Sequence, residues 1–182
     1  MRIIGGELGG RKIHPPSKMP YTRPTTDVAK EALFNIIENN LDLPGMKTLD
    51  LFGGTGSISF ELASRGVRNI TVVEKDNAMV EFIKNTAAIL GLQEFGVIRM
   101  DVFKYINQCT EQFDFIFAGP PYALDTIDDI PKLIFERKLL KPKAWFVLEH
   151  TPRNNYEGYP MFATQRKYGT TIFSIFINRA ES

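Results

Sequence analysis

The sequence has little of three things: cysteine, long apolar runs and net charge. Cys109 is the only cysteine, which excludes an internal disulfide and a cysteine-rich metal centre. The apolar runs 144–148 and 172–177 are far shorter than the ~20 residues that a membrane-spanning helix needs. A formal net charge of +1 excludes a polybasic protein that coats nucleic acid with its whole surface.

What remains is an ordinary globular composition. The chain has 182 residues, 43% of them hydrophobic, which is enough for one domain with one buried core. Met1 leads directly into a glycine-rich, charged stretch that does not resemble a signal peptide. We therefore expect a cytoplasmic protein that has no membrane partner.

Positive charge is concentrated in the first 30 residues. Six basic and two acidic residues give this segment a charge of +4, and the total of +1 leaves −3 for the rest of the chain. A basic arm on a mildly acidic body suggests contact with a polyanion, and a solvated N-terminus is the alternative. The basic residues of the arm are Arg2, Arg11, Lys12, Lys18, Arg23 and Lys30.

The spacing of apolar residues predicts an α/β domain preceded by a short extension. Residues 2–14 predict a hairpin around a glycine-rich turn, and residues 15–24 an extended, proline-rich connector. Residues 25–27 offer caps for a helix that should end near residues 39–40. From residue 47 onward strands and helices alternate, with strands at 48–52, 69–74, 96–100, 113–118 and 144–149 and helices at 57–65, 77–90, 102–108 and 127–138. Strands that are separated by helices imply parallel crossovers.

The last two strands break this pattern. Residues 161–168 and 171–178 both predict strands, yet only two residues separate them, so they must pair antiparallel. The predicted fold is a single Rossmann-like α/β domain whose mostly parallel seven-stranded sheet ends in an antiparallel hairpin. This arrangement resembles that of class I methyltransferases that depend on S-adenosylmethionine (SAM).

A glycine-rich segment after the first core strand predicts a SAM site. Residues 49–56 (LDLFGGTG) run directly into a helix, at the sheet edge where α/β proteins bind ligands. Asp50 suits the ammonium of SAM, Glu74 the ribose hydroxyls and Asp101 the adenine amine. A glycine-rich turn without a ligand, with solvated acids nearby, is the alternative. The predicted cofactor-binding residues are Asp50, Phe52, Gly53, Gly54, Gly56, Glu74, Lys75, Asp101 and Val102, the last packing on the adenine ring.

The fourth strand ends in a diproline segment that predicts the transfer site. Its residues are Gly119, Pro120, Pro121 and Tyr122. They resemble the [D/N/S]-P-P-[Y/F/W] motif of methyltransferases that modify exocyclic amines of bases. The resemblance implies that the first side chain and a proline carbonyl accept from the amine, while the aromatic ring stacks on the extruded base. The alternative is a diproline turn that closes the strand, with Tyr122 in the core.

Four blocks near the N-terminus make the resemblance more specific. Residues 1–6 (MRIIGG), 10–12 (GRK), 23–27 (RPTTD) and 31–35 (EALFN) resemble the opening of the RsmD family, and residues 49–56 and 113–122 match it further on. The resemblance implies methylation of N2 of a guanine in 16S rRNA, within small ribosomal subunit particles. It also implies that residues 1–40 form an RNA-binding extension, with Arg2, Arg11, Lys12 and Arg23 on phosphates, and residues 41–182 the SAM-dependent domain.

One residue departs from the family pattern. Gly119 stands where the family has an acidic or amide residue, so it offers no side chain to the amine. Either correct positioning carries the reaction, a neighbouring carboxylate such as Asp125 substitutes, or the chain is a SAM- and RNA-binding module that has lost catalysis. A DNA adenine-N6 methyltransferase is a further alternative. The expected transfer needs no metal and no covalent intermediate.

Overall fold

The structure, a computed structural model, describes residues 1–17 and 25–181. The helices are α1 (Asp27–Asn40), α2 (Ser57–Ser64), α3 (Asn77–Ile89), α4 (Val102–Gln108) and α5 (Asp129–Glu136). The strands are β1 (Lys47–Leu51), β2 (Asn69–Glu74), β3 (Phe95–Arg99), β4 (Phe113–Ala118), β5 (Leu140–His150), β6 (Phe162–Tyr168) and β7 (Thr171–Ile177). In these two ranges, no helix is both long and apolar enough to cross a membrane.

The seven strands form one sheet, and this confirms the predicted fold. Their order is β3-β2-β1-β4-β5-β7-β6. The first five strands pair in parallel, whereas β7 lies antiparallel between β5 and β6. The short turn after Tyr168, with Gly169 at a positive φ of 63°, leaves no room for a crossover, so β6 and β7 form a hairpin.

Three elements differ from the prediction by more than a shift of one residue at an end. β5 begins at Leu140 rather than at residue 144. Its pairing with β4 contains a register shift, and Lys143 has a positive φ. This irregularity interrupts the alternation of side chains, so the first residues of the strand do not show a strand pattern. α5 is shorter than predicted because Lys138, at φ 55°, cannot continue a helix. The N-terminal hairpin contains no regular strands. Its two arms are joined by one isolated antiparallel bridge between Arg2 and Lys12.

Helices cover both faces of the sheet. Along β4, Phe115 and Phe117 belong to a core cluster with α1, α2 and α3, whereas Ile116 and Ala118 belong to a cluster with α4 and α5. This alternation follows from the two-residue period of a strand, which sends successive side chains to opposite faces. The central strands are therefore buried on both sides, whereas the edge strands β3 and β6 are partly exposed.

A buried carboxylate attaches the N-terminal hairpin to the sheet domain. Glu61 of α2, fully buried, accepts hydrogen bonds from the backbone N–H of Ile4 at 2.8 Å and of Gly5 at 2.9 Å. Its oxygens also lie 2.7 Å from Arg65 Nε and 3.6 Å from the buried Lys30 Nζ. Burial lowers the pKa of Lys30, and the nearby Glu61 charge opposes that shift. The hairpin, α1 and α2 are thus tied at one point.

Removing this carboxylate should be costly. Glu61→Ala leaves the buried Lys30 ammonium without its counter-charge and two backbone N–H groups without an acceptor. Breaking a buried pair in this way costs about 3–5 kcal/mol, to be measured as the free energy of unfolding in urea.

The matched control is Glu38→Ala, which removes the half-exposed partner of Arg65. This exposed pair contributes about 0–1 kcal/mol. Equal losses for the two variants would contradict a central role for Glu61.

Candidate active site

The predicted site residues gather around one cavity of about 920 Å³ at the carboxyl ends of the parallel strands. All thirteen predicted cofactor and transfer residues line it except Gly56 and Tyr122. A smaller cavity of about 470 Å³, beside Arg68 and Phe95, holds none of them. The large cavity is therefore the candidate active site.

The glycine-rich turn is shaped by close packing against β2. Gly53 donates its N–H to Val73 O at 3.0 Å, and a Cβ at Gly53 would overlap with Val72 Cγ1. Gly56 has a φ of 80° and stands at the N-cap of α2, so it shapes the start of the helix from outside the cavity lining. Phe52 also has a positive φ, of 60°, a conformation that is uncommon for a residue with a side chain and that no sequence pattern signalled.

Asp50 is a buried acid of the site. Its side chain is 2% exposed and accepts a hydrogen bond from Ser59 Oγ at 2.7 Å. Burial raises the pKa of Asp50 to about 7, the Ser59 bond opposes the rise, and the nearby Glu74 charge adds to it. A buried carboxylate of this kind is well suited to bind a cationic ligand, because the positive charge of the ligand compensates the cost of burying the negative charge of the carboxylate.

Glu74 ends β2, Asp101 follows the end of β3 by two residues, and both bind backbone groups. Glu74 accepts from the N–H of Gly54 at 2.9 Å and from the N–H of Asp76 at 2.7 Å. Glu74 therefore holds the glycine turn in place as well as lining the cavity. Asp101 is the N-cap of α4 and accepts from Lys104 N at 3.1 Å. Lys75 and Val102 follow these acids and complete that wall.

The diproline segment forms the opposite wall of the cavity. Gly119, Pro120 and Pro121 line it, and Gly119 donates its N–H to Leu51 O at 3.3 Å. Tyr122 lies outside the lining, and its hydroxyl donates to Glu149 Oε2 at 2.7 Å. The ring is thus held at the rim by its hydroxyl end.

Glu149 also lines the cavity, although no sequence motif had pointed to it. It lies in β5 and is 3% exposed. Thr25 Oγ1 donates to its Oε1 at 2.6 Å. The missed signal was an acid near the end of a strand, the same signal that singled out Asp50 and Glu74. Asp125, the carboxylate named as a substitute for the missing side chain, is exposed and outside the lining.

Three of the four predicted RNA-binding residues lie on the hairpin, outside the cavity lining. Arg2, Arg11 and Lys12 are all exposed, and Arg2 Nε lies 3.0 Å from Asp27 Oδ2. Arg23 lies outside the described residues. The hairpin reaches the cavity rim through Met1, whose Sδ accepts from Thr55 Oγ1 at 3.1 Å.

The cavity fits SAM by the chemistry of its donors and acceptors. Buried or strand-end carboxylates meet the cationic and hydroxylated parts of such a ligand, while Phe52, Met79 and Val102 offer apolar surface. Its volume falls within the range of small-molecule sites. Fold and site together define the chain as a SAM-dependent methyltransferase.

Comparisons with known proteins identify the family. The family model described as conserved hypothetical protein 95 matches residues 1–177. YlbH of Bacillus subtilis, named as a candidate rRNA methyltransferase, is 32% identical over 186 residues, which cover 98% of this chain and 100% of that protein. Ribosomal RNA small subunit methyltransferase D of Haemophilus influenzae is 31% identical over 153 residues, which cover 82% and 78%. The chain belongs to this family, the RsmD family that its motifs predicted.

A solved structure gives the same fold. YhhF of Escherichia coli, described as a candidate methyltransferase, superposes with a TM-score of 0.85 at 24% identity and covers 100% of this chain and 99% of its own. The similarity therefore extends over the N-terminal hairpin as well as the sheet.

The packing of Gly53 against Val72 can be tested with a double-mutant cycle. Gly53→Ala should lower the free energy of unfolding by about 1–3 kcal/mol, because the new Cβ overlaps with a stiff β-branched side chain. Val72→Ala removes the overlapping atom, so the double variant should lose about 0.5–3 kcal/mol less than the sum of the single losses. Additive losses, measured by urea unfolding, would show that Val72 does not restrict this position.

Proposed function

We propose that this chain transfers a methyl group from SAM to the exocyclic N2 amine of a guanine in 16S rRNA of the small ribosomal subunit. The observation that carries the proposal is that the diproline segment and the strand-end acids face one cavity beside the family's N-terminal hairpin. SAM, when bound, supplies an electrophilic methyl group on sulfur. The protein's own residues bind, orient and deprotonate.

Cofactor binding is assigned to the strand-end wall. Asp50 binds the ammonium, Glu74 the ribose hydroxyls, and Asp101 the adenine amine, with Val102 packing on the ring. Phe52, Gly53, Gly54 and Lys75 complete this wall, and Gly56 sets the start of α2 behind it. The support for this assignment is the burial of Asp50 and the bond between Glu74 and Gly54, which fix the wall before any ligand binds.

Substrate binding is assigned to the diproline wall. The guanine must leave its stack to reach the cavity, at a cost of a few kcal/mol. Stacking on an aromatic side chain returns ~1–3 kcal/mol, and Tyr122 at the rim provides that ring. The Pro120 carbonyl accepts from the amine, while Gly119 and Pro121 keep the wall close to the reacting atoms.

Residues 1–40 are assigned to RNA contact. Arg2, Arg11 and Lys12 project from a hairpin that Glu61 fixes to the domain, so these phosphate contacts are held in place in advance. Arg23 belongs to the same basic set. The described part of this segment packs into the same hydrophobic core as the sheet domain. The proposed division at residue 40 therefore separates two functions, RNA contact and methyl transfer, and not two separately folded units.

The proposal is tested by methyl transfer from labelled SAM. Small ribosomal subunits that lack the modification should accept label, and digestion of their 16S rRNA should yield N2-methylguanosine at one position. Large subunits and duplex DNA serve as controls and should accept none. Label on adenine N6 of DNA, or none on small subunits, would refute the proposal.

A second prediction concerns the ammonium site at Asp50. The raised pKa of about 7 means that this carboxyl is mostly protonated at pH 5.5 in the free protein. An ammonium ligand favours the charged form, so binding releases a proton and strengthens as pH rises toward 7. The affinity for S-adenosylhomocysteine, which carries the same ammonium, should rise roughly 5–10-fold between pH 5.5 and 6.5 and level off near pH 7.5.

Titration calorimetry in two buffers of different ionisation enthalpy measures both the affinity and the released proton. Asp50→Asn is the matched control, because it keeps the shape and cannot titrate. This variant should bind more weakly at pH 7.5 and show little pH dependence below it. The same slope in both proteins would remove Asp50 from the ammonium site.

A further inference from the structure

Gly119 and Glu149 lie side by side at the ends of two paired strands. β4 and β5 pair in parallel, and Ala118 lies opposite Leu148. The residues that follow them, Gly119 and Glu149, are therefore neighbours at the same edge of the sheet. Phe117 and Val147, two residues before, both belong to the core cluster on the α1–α3 face. By the two-residue period of strands, Gly119 and Glu149 therefore share that face, as does Asp50 with its bond to α2.

The Glu149 carboxylate approaches the space that a side chain at position 119 would occupy. A Cβ built on Gly119 would lie 3.9 Å from Glu149 Oε1. The oxygens of an aspartate are two covalent bonds from its Cβ, so an aspartate here would point its oxygens into the same small region. Both residues line the cavity, and Glu149 is 3% exposed.

Two hydroxyl groups orient this carboxylate. Thr25 Oγ1 donates to Oε1 at 2.6 Å and Tyr122 Oη donates to Oε2 at 2.7 Å. One donor precedes α1 and the other belongs to the diproline segment, and together they hold Glu149 beside Gly119.

We infer that the Glu149 carboxylate is the catalytic acceptor for the substrate's exocyclic amine, in place of a side chain at Gly119; the inference rests on the proposed function. An amine that attacks a methyl group must point its lone pair at the carbon and give up one proton. As the N–C bond forms, the C–S bond breaks with its electron pair left on sulfur. One amine proton passes to Glu149 and then to solvent, and the product is a methylated, neutral amine.

The test compares Glu149→Gln with the wild type on small subunits. Gln keeps the size and can still bond to Thr25 and Tyr122, since hydroxyls both donate and accept, but it cannot take a proton. We expect kcat to fall about 10²–10⁴-fold, while the affinities for S-adenosylhomocysteine and for the subunit stay within twofold.

Restoring the carboxylate on the neighbouring strand gives the sharper readout. In the Glu149→Gln background, Gly119→Asp should recover at least 10-fold of the lost kcat, and Gly119→Ala should recover none. The alanine variant controls for space, because a Cβ at this position lies 3.0 Å from Phe117 Cε1 and the ring must shift slightly. Glu149→Asp, which keeps the charge but shortens the reach, should fall between the wild type and the glutamine variant.

The outcomes separate this inference from the function on which it rests. Unchanged kcat in Glu149→Gln would overturn the role of Glu149 and leave the proposed function intact. Transfer by Gly119→Asp with none by the wild type would overturn both, because the wild-type chain would then not be a methyltransferase. A loss of kcat that follows a loss of folding or of cofactor affinity would assign Glu149 a structural role and overturn the inference as well. No transfer from the wild type or from Gly119→Asp would overturn the proposed function, and the inference with it.

Discussion

The site depends on one constraint: the five strands β1, β2, β3, β4 and β5 all run in the same direction. Their carboxyl ends therefore lie at a single edge of the sheet. Leu51 pairs with Val73 on one side and with Ala118 on the other. Because the strands share a direction, the acids that follow them meet although they are far apart in the chain. Glu74 thus reaches the N–H of Gly54 at 2.9 Å. The cavity is a consequence of strand direction and register, and its side chains select the ligand.

A second tie, at Glu61, makes the hairpin part of this domain. Its buried carboxylate gathers two backbone N–H groups, Lys30 and Arg65. Since a buried charge is tolerated only when its hydrogen-bonding groups are satisfied, detaching the hairpin costs the carboxylate its two backbone donors, Ile4 and Gly5. The basic residues on the hairpin are therefore carried by a fixed surface. This places the proposed phosphate contacts at a set distance from the cavity rim, where Met1 meets Thr55.

The same register that builds the site lets it tolerate a missing side chain. Neighbouring parallel strands place paired residues side by side. A side chain that is missing after β4 can therefore be replaced by one from the adjacent position on β5. Glu149 stands next to Gly119 by this rule and is oriented by Thr25 and Tyr122. The Tyr122 hydroxyl donates to Glu149, and the Tyr122 ring is the one proposed to stack on the base. The residue proposed to accept from the amine and the residue proposed to hold the base are thus connected by a hydrogen bond.

The local features can be read from contiguous stretches of sequence: the seven strands, the antiparallel end, the glycine turn with Asp50, and the family of the chain. These are set by periodicity, turn residues and contiguous motifs, which need only neighbours in the chain. The tertiary structure alone decided where β5 begins, that Glu61 anchors the hairpin, and that Glu149 rather than Asp125 lies beside Gly119. Each of these depends on register between segments that are distant in sequence, and strand register is a property of pairing and packing that no local pattern encodes.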